Sequence, residues 1–240
     1  PGAALDGRPL RLSSVRVCSP IPHPEQDIIC LGVNYAAHAD ESAQFDRKAF
    51  LLDRKKATYF SKRAYQTSGP DDLIPSYPEL VTSLDYEAEL AVIIGRDCKN
   101  VCERDAAACI FGYTVLNDVS ARNLQTEHNQ WYFGKSLDGF TPMGPCIVTE
   151  DEIPYPPALS ISSTVNGELR QNSNTKYLLH SISEIIAELS QGMTLLAGTI
   201  IATGTPAGVG MGFDPPKFLK SGDVVTCEIE KIGRLTNMVK

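Results

Sequence analysis

A chain of 240 residues with a formal net charge of −7 and 42% hydrophobic residues is long enough to bury one full core. Its acidic balance argues against a nucleic-acid partner, which needs a basic face, and no apolar run reaches the roughly 18 residues of a membrane span. Seven cysteines, odd in number and scattered among apolar neighbours, read as reduced, buried thiols of a cytoplasmic-type compartment.

Residues 1–27 read as a stub or the remnant of a small N-terminal domain, without the apolar segment of a leader. Residues 28–240 read as one domain, because no repeat or low-complexity linker interrupts them. Residues 28–35 predict a buried strand that leads into a short helix over 36–41, and 57–62 predict another short strand. The stretch LDYEAELAVIIG (84–95) reads as a strand from its β-branched tail. A short helix over 103–111 then separates it from a strand at 113–116, which ends in Asn117-Asp118. Asn166-Gly167 between 159–165 and 168–171 signals a hairpin with a type I′ turn. Ser181 and Glu184 form a capping box ahead of a helix that Gly192 stops. A strand over 199–203 and a hairpin over 224–238, turning at Ile232-Gly233, complete the chain. Strands outnumber the short helices, which is not the regular alternation of a doubly wound sheet.

Residues two apart on a strand share a face, so Glu87 and Glu89 project side by side. Like charges that close repel unless something neutralises them. Either the two face solvent on an edge strand, or they hold a divalent cation. Asp118 at a strand end either caps a turn or supplies a third carboxylate to the all-oxygen set preferred by Mg²⁺, Mn²⁺ or Ca²⁺. His38 and Glu41, three apart on one helix face, form either a local hydrogen bond or a pair able to activate water. Cys98, Cys102 and Cys109 have no histidine nearby and are not read as a zinc site. The glycine-rich run 203–210 lacks the Gly-Lys-Ser/Thr of a Walker loop, and no Gly-x-Ser-x-Gly, Gly-x-Gly-x-x-Gly or His-Glu-x-x-His motif is present.

Five blocks, in order, carry a family resemblance: GVNYAAHADE (32–41), DYEAELAVIIG (85–95), GYTVLNDVSARNLQ (112–125), FGKSLDGFTPMGP (133–145) and QGMTLLAGTIIATGTPAGVG (191–210). Together they resemble the catalytic domain of the fumarylacetoacetate hydrolase superfamily. The resemblance implies a mainly β (α+β) fold, a mixed β-sandwich curled into a roll with short helices, and a homodimer. It implies Glu87, Glu89 and Asp118 as ligands of Mg²⁺ or Mn²⁺, with Ca²⁺ as a substitute. Lys135 matches the family's active-site lysine, and His38 with Glu41 matches a His-x-x-Glu on a lid, His38 relaying and Glu41 taking the proton. Gly204 and Thr205 match a nest that holds the substrate carboxylate, and Arg122 and Gln125 match polar contacts to its distal half. Tyr35, Lys62 and Tyr177 are further candidates, read as structural. The charged segment 44–56, Arg63 after Lys62, and residues 175–180 depart from the family's usual wording.

The expected substrate is a small 2-oxo acid or dicarboxylate. The leading expectation is hydrolysis of the C–C bond of an acylpyruvate, or decarboxylation of oxaloacetate. The alternative is an isomerase or tautomerase, acting for instance on 2-hydroxyhepta-2,4-diene-1,7-dioate or oxaloacetate. A third reading is a metal-stabilised binding protein without catalysis.

Overall fold

Strand alternation over residues 88–94 divides their side chains between two faces, and the fold is built around that division. The protein is described by a computed structural model covering residues 11–50, 54–128 and 130–240. Residues 1–10 of the expected stub and 51–53 of the charged segment lie outside the described residues.

In chain order, β1 (Ile28–Gly32) leads to helices α1 (Ala36–Phe45) and α2 (Arg47–Phe50), then β2 (Thr58–Lys62) and β3 (Leu73–Ile74). Next come β4 (Leu84–Asp85), β5 (Ala88–Ile94), β6 (Ile110–Asn117) and β7 (Ser120–Ala121). Two short helices, α3 (Arg122–Glu127) and α4 (Tyr132–Lys135), precede β8 (Met143–Thr149), β9 (Ser160–Val165) and β10 (Glu168–Asn174). Helix α5 (Ile182–Gly192), β11 (Ile200–Ala202), β12 (Val224–Ile229) and β13 (Gly233–Val239) follow.

One sheet has the order β2-β1-β11-β5-β6-β8 and the other β10-β9-β12-β13-β3, with β4 and β7 forming a small ribbon. Both larger sheets are mixed, because β1 runs parallel to β11 and β13 parallel to β3 while the other pairs are antiparallel. Strands β5 and β6 pack across β9, β12 and β13. Leu90, Val92 and Ile94 enter the core between the sheets, where Ile161, Val225 and Leu235 meet them. Ala91 and Ile93 face the other way, into a smaller cluster with Cys30, Leu116 and Ala202. Glu89 shares that second face, so the site is built on the outer side of the first sheet. The expected fold class, a mainly β roll of two mixed sheets with short helices, is the one observed. No helix among the described residues is long and apolar enough to cross a membrane.

Several boundaries differ from expectation for local reasons. The strand predicted over 84–95 breaks after Asp85, because side chains take the ladder donors: Tyr86 N–H donates to Asp85 Oδ1 (2.9 Å) and Glu87 N–H to Asn117 Oδ1 (3.0 Å). Residues 103–109 form a 3-10 helix, and the first helix continues to Phe45. The last hairpin turns one position early, at Lys231, which takes the left-handed conformation (φ 64°). The Asn166-Gly167 turn has φ of 51° and 81°, the pair a type I′ turn requires. The Ser181–Glu184 capping box forms in both directions. All seven cysteines are free; Cys30, Cys98, Cys109 and Cys227 are buried, but Cys18, Cys102 and Cys146 are exposed, against the expectation of buried thiols.

Candidate active site

The pairing of β5 with β6 sets Ala88 opposite Asn117 and Glu89 opposite Leu116. Beyond the last pair, Asp118 N–H donates to the Glu87 carbonyl (2.9 Å). These bonds bring one carboxylate oxygen each of Glu87, Glu89 and Asp118 within 4.8 Å of one another, all three side chains buried. Among the described residues no other group of acidic, histidine or cysteine side chains converges in this way.

Three buried cations surround the triad. Lys135 Nζ donates to Glu87 Oε2 (2.8 Å) and Asp118 Oδ2 (2.7 Å). Lys62 Nζ lies 2.7 Å from Asp118 Oδ1, off the direction of a hydrogen bond, and donates to the carbonyls of Val119 and Lys135. Arg122 reaches Glu87 Oε1 (2.7 Å) through Nη1 and Asp85 Oδ2 (2.9 Å) through Nε. Counting Asp85, the cluster holds one more carboxylate than cation.

The ionisation pattern follows from these partners. Burial works against a charged Glu87, but Lys135 and Arg122 outweigh it and hold its pKa down at about 2. Burial would also discharge Lys135 and Arg122, yet the carboxylates beside them raise both, so both stay charged. Glu89 is the exception. Burial, Asp118 and Glu87 push its carboxyl well above the usual range, while Lys135 and the Gly204 N–H only partly oppose them. A cluster of hard oxygen donors in which one carboxylate lacks a cation of its own is the donor set that suits Mg²⁺ or Mn²⁺.

Helix α1 covers this cluster as a lid. His38 Nδ1 lies 2.8 Å from Glu41 Oε1, and its Nε2 is 3.5 Å from Ser42 Oγ. Glu41 is anchored in turn by the Gly208 N–H, which donates to both carboxylate oxygens (3.2 and 3.0 Å). His38 lines the cavity, while Glu41 stands behind it.

The glycine-rich run is held by hydrogen bonds within the protein. Its amides bind the protein's own carboxylates: Gly204 N–H donates to Glu89 (2.8 Å), Gly208 to Glu41, and Gly210 and Met211 to Asp85 (2.6 and 3.0 Å). The Thr205 hydroxyl donates to the Ala88 carbonyl (2.9 Å) and accepts from Gln171 Nε2 (2.7 Å). Thr205 still borders the cavity. Gly208 has φ +105°, and a Cβ there would strike the Arg170 carbonyl oxygen. Gly208→Ala should therefore cost about 1–3 kcal/mol from backbone strain alone, read as a lower urea midpoint, and should loosen the lid by displacing the amide that holds Glu41.

The cavity, narrow enough that only about 10 Å³ is open to a water-sized sphere, is bordered by His38, Glu87, Arg122, Gln125, Lys135 and Thr205 on its polar side. Arg122 Nη1 donates to Gln125 Oε1 (2.9 Å), while Arg122 Nη2 is buried without a partner. Tyr35 OH is likewise buried and unpartnered, and Tyr177 is 60% exposed. A wider surface groove lined by Arg16, Tyr65, Asp71, Asp72 and Asp138 shares no residue with this cavity; Arg16 pairs with Asp72 there, but among the described residues its carboxylates do not converge as the buried triad does. Lys62, expected to be structural, turns out to be fully buried against Asp118. Asp85 and Gln171 were not singled out by sequence. Gln171 is fully buried, accepting from Ala88 N–H and donating to Thr205 and the Pro206 carbonyl.

With the geometry in view, comparison with known proteins is informative. The chain is 46% identical over 228 residues to an oxaloacetate tautomerase of Bacillus subtilis, covering 95% of this chain and 74% of that protein. It is 43% identical over 241 residues to a mitochondrial oxaloacetate tautomerase of Xenopus laevis, covering 99% and 73%. Among solved structures, a fumarylacetoacetate hydrolase from Exiguobacterium antarcticum superposes with a TM-score of 0.86 at 44% identity, covering all of this chain and 83% of that one. Residues 27–240 match the fumarylacetoacetate (FAA) hydrolase C-terminal family, and the chain is therefore an enzyme of the fumarylacetoacetate hydrolase superfamily.

Proposed function

We propose that the protein interconverts the keto and enol forms of a short 2-oxo dicarboxylate, with oxaloacetate as the representative substrate. The observation that carries this reading is the placement of His38: its ring borders the cavity, and Glu41 holds Nδ1 from behind. An ionised Glu41 accepting from Nδ1–H leaves Nε2 as the basic nitrogen, a tautomer assigned from the hydrogen bond. When bound by Glu87, Glu89 and Asp118, a divalent cation supplies Lewis-acid polarisation of the substrate's carbonyl and carboxylate oxygens.

The remaining work belongs to side chains. His38 Nε2 removes a proton from C3, the C–H electron pair becomes the C2–C3 double bond, and charge moves to the carbonyl oxygen. Return of the proton to that oxygen gives the enol. Lys135, kept protonated by Asp118 and Glu87, has a third N–H with which to stabilise the developing charge. The free Nη2 of Arg122 and the Gln125 amide suit a second carboxylate. The two tautomerases above support this alternative over the C–C cleavage expected first.

His38→Gln should lower kcat for enol-oxaloacetate decay by roughly 10²–10⁴ while leaving the Mg²⁺-induced gain in Tm intact. Ultraviolet absorbance follows the enol, and NMR of the same samples counts pyruvate. Pyruvate formed stoichiometrically by the wild type, or full tautomerase activity in His38→Gln, would overturn the proposal.

A further inference from the structure

Three aromatic rings also line the cavity. Phe50 of α2 and Phe60 of β2 flank Trp131, with ring centroids 5.4 and 5.3 Å from it. Lys135 Nζ stands 5.2 Å from the Phe60 ring, so the aromatic row begins directly beside the charged cluster. Trp131 is seated on Gly32, where a Cβ would collide with the indole. Phe50 is 4% exposed and packs with Val209, Met211, Trp131 and Phe218. Phe50 is thus enclosed by its neighbours, while Trp131 and Phe60 are partly buried. With the rings in place, only about 10 Å³ of the cavity is open to a water-sized sphere, about the room for one water molecule, so any ligand has to fit against this wall as the site closes over it.

We propose that the Phe50–Trp131–Phe60 row measures the length of the substrate. It admits 2-oxo diacids of about four or five carbons, whose two charged ends are met by the polar side of the cavity, and rejects longer ones. Phe50 follows the lid helix directly, so the limit is imposed when α1 and α2 close: a longer chain either strikes the rings or keeps the lid from seating. This inference rests on the 2-oxo-acid reading of the site and sharpens it, because it separates a four-carbon substrate from the seven-carbon dienedioate of the sequence-based alternative.

One extra methylene against a fitted apolar wall is worth roughly 10–200-fold in discrimination. The test is calorimetric titration of the full chain with Mg²⁺, using oxalate, 2-oxoglutarate and 2-oxoadipate. Trp131 is the chain's single tryptophan, so its fluorescence reports contact with the wall in the same titrations. Wild-type affinity should fall at least tenfold from 2-oxoglutarate to 2-oxoadipate. Phe50→Leu and, separately, Trp131→Leu should each raise the affinity ratio of 2-oxoadipate to oxalate at least tenfold. Equal wild-type affinity for the two longer acids overturns the length limit, as does an unchanged ratio in both variants when their circular dichroism is native. Failure of the wild type to bind any of the three overturns the 2-oxo-acid reading itself, a result distinct from the other two.

Discussion

Adding Mg²⁺ to the metal-stripped protein should raise its Tm by roughly 5–10 °C, and Glu89→Gln should abolish most of that gain. A ligand at a hundred times its Kd stabilises by about 2.7 kcal/mol, and for a domain of this size each kcal/mol moves Tm by about 2–4 °C. Glu89 is the site's sensitive member because Glu87 and Asp118 already have Lys135, with Arg122 or Lys62 beside them, while Glu89 has the Gly204 amide. The pH dependence of the metal-free protein separates the two glutamates. Glu89's folded pKa is raised, so the folded state binds a proton that the unfolded state releases, and stability falls as pH rises above the ordinary carboxylate range. Glu87's is depressed to about 2, so its contribution is present above the ordinary range and is lost as pH falls toward 2. In Glu89→Gln the loss at higher pH should vanish and the acid-side loss should remain. Urea unfolding at a series of pH values in EDTA measures both; an unaltered profile in the variant would mean that Glu89 does not carry the raised carboxyl, and an undiminished Mg²⁺ gain in Tm would remove it from the cation-binding set.

How much of this was legible in the sequence depended on how local the cause was. Glu87 and Glu89 were readable as neighbours because strand period alone places them on one face. The hairpin at Asn166-Gly167 and the cap at Ser181 were readable because turn and cap chemistry lies within four residues. The pairing of His38 with Glu41 was readable from helix geometry, but their order with respect to the cavity was not. That order is decided by the Gly208 amide, 167 residues away from Glu41. Asp85 escaped notice for the same reason: its partners Gly210 and Met211 lie 125 and 126 positions on. Strand β8 was missed because Gly144-Pro145 reads as a breaker, whereas at the edge of a sheet a proline's missing donor is tolerated. Helices α3 and α4 are too short for hydrophobic periodicity to show. Lys62 was read as structural, and its place beside the carboxylates was not legible because it depends on Asp118, 56 positions on, which the chain brings to it only on folding.

Arg122→Met should destabilise the protein by about 3 kcal/mol, near the low end of the 3–5 kcal/mol expected when one partner of a buried ion pair is removed. The side chain is 1% exposed and bridges two carboxylates, Asp85 and Glu87. The loss stays near the low end because neither carboxylate is stranded. Asp85 keeps the N–H groups of Tyr86, Gly210 and Met211, and Glu87 keeps Lys135. Adding Asp85→Asn should recover part of the loss, because the surplus buried charge goes with it, giving a coupling of about 1 kcal/mol or more in a double-mutant cycle. Arg122→Lys separates fold from function. An ammonium preserves the charge but cannot offer the planar fork that reaches Asp85 and Glu87 at once and leaves Nη2 for a ligand. That variant should unfold close to the wild-type urea midpoint yet bind 2-oxoglutarate at least tenfold more weakly, with oxalate affected less because it places no distant carboxylate at Arg122. Equal losses for the two acids would mean that Arg122 organises the carboxylate cluster without touching the ligand, and the second-carboxylate role would pass to Gln125.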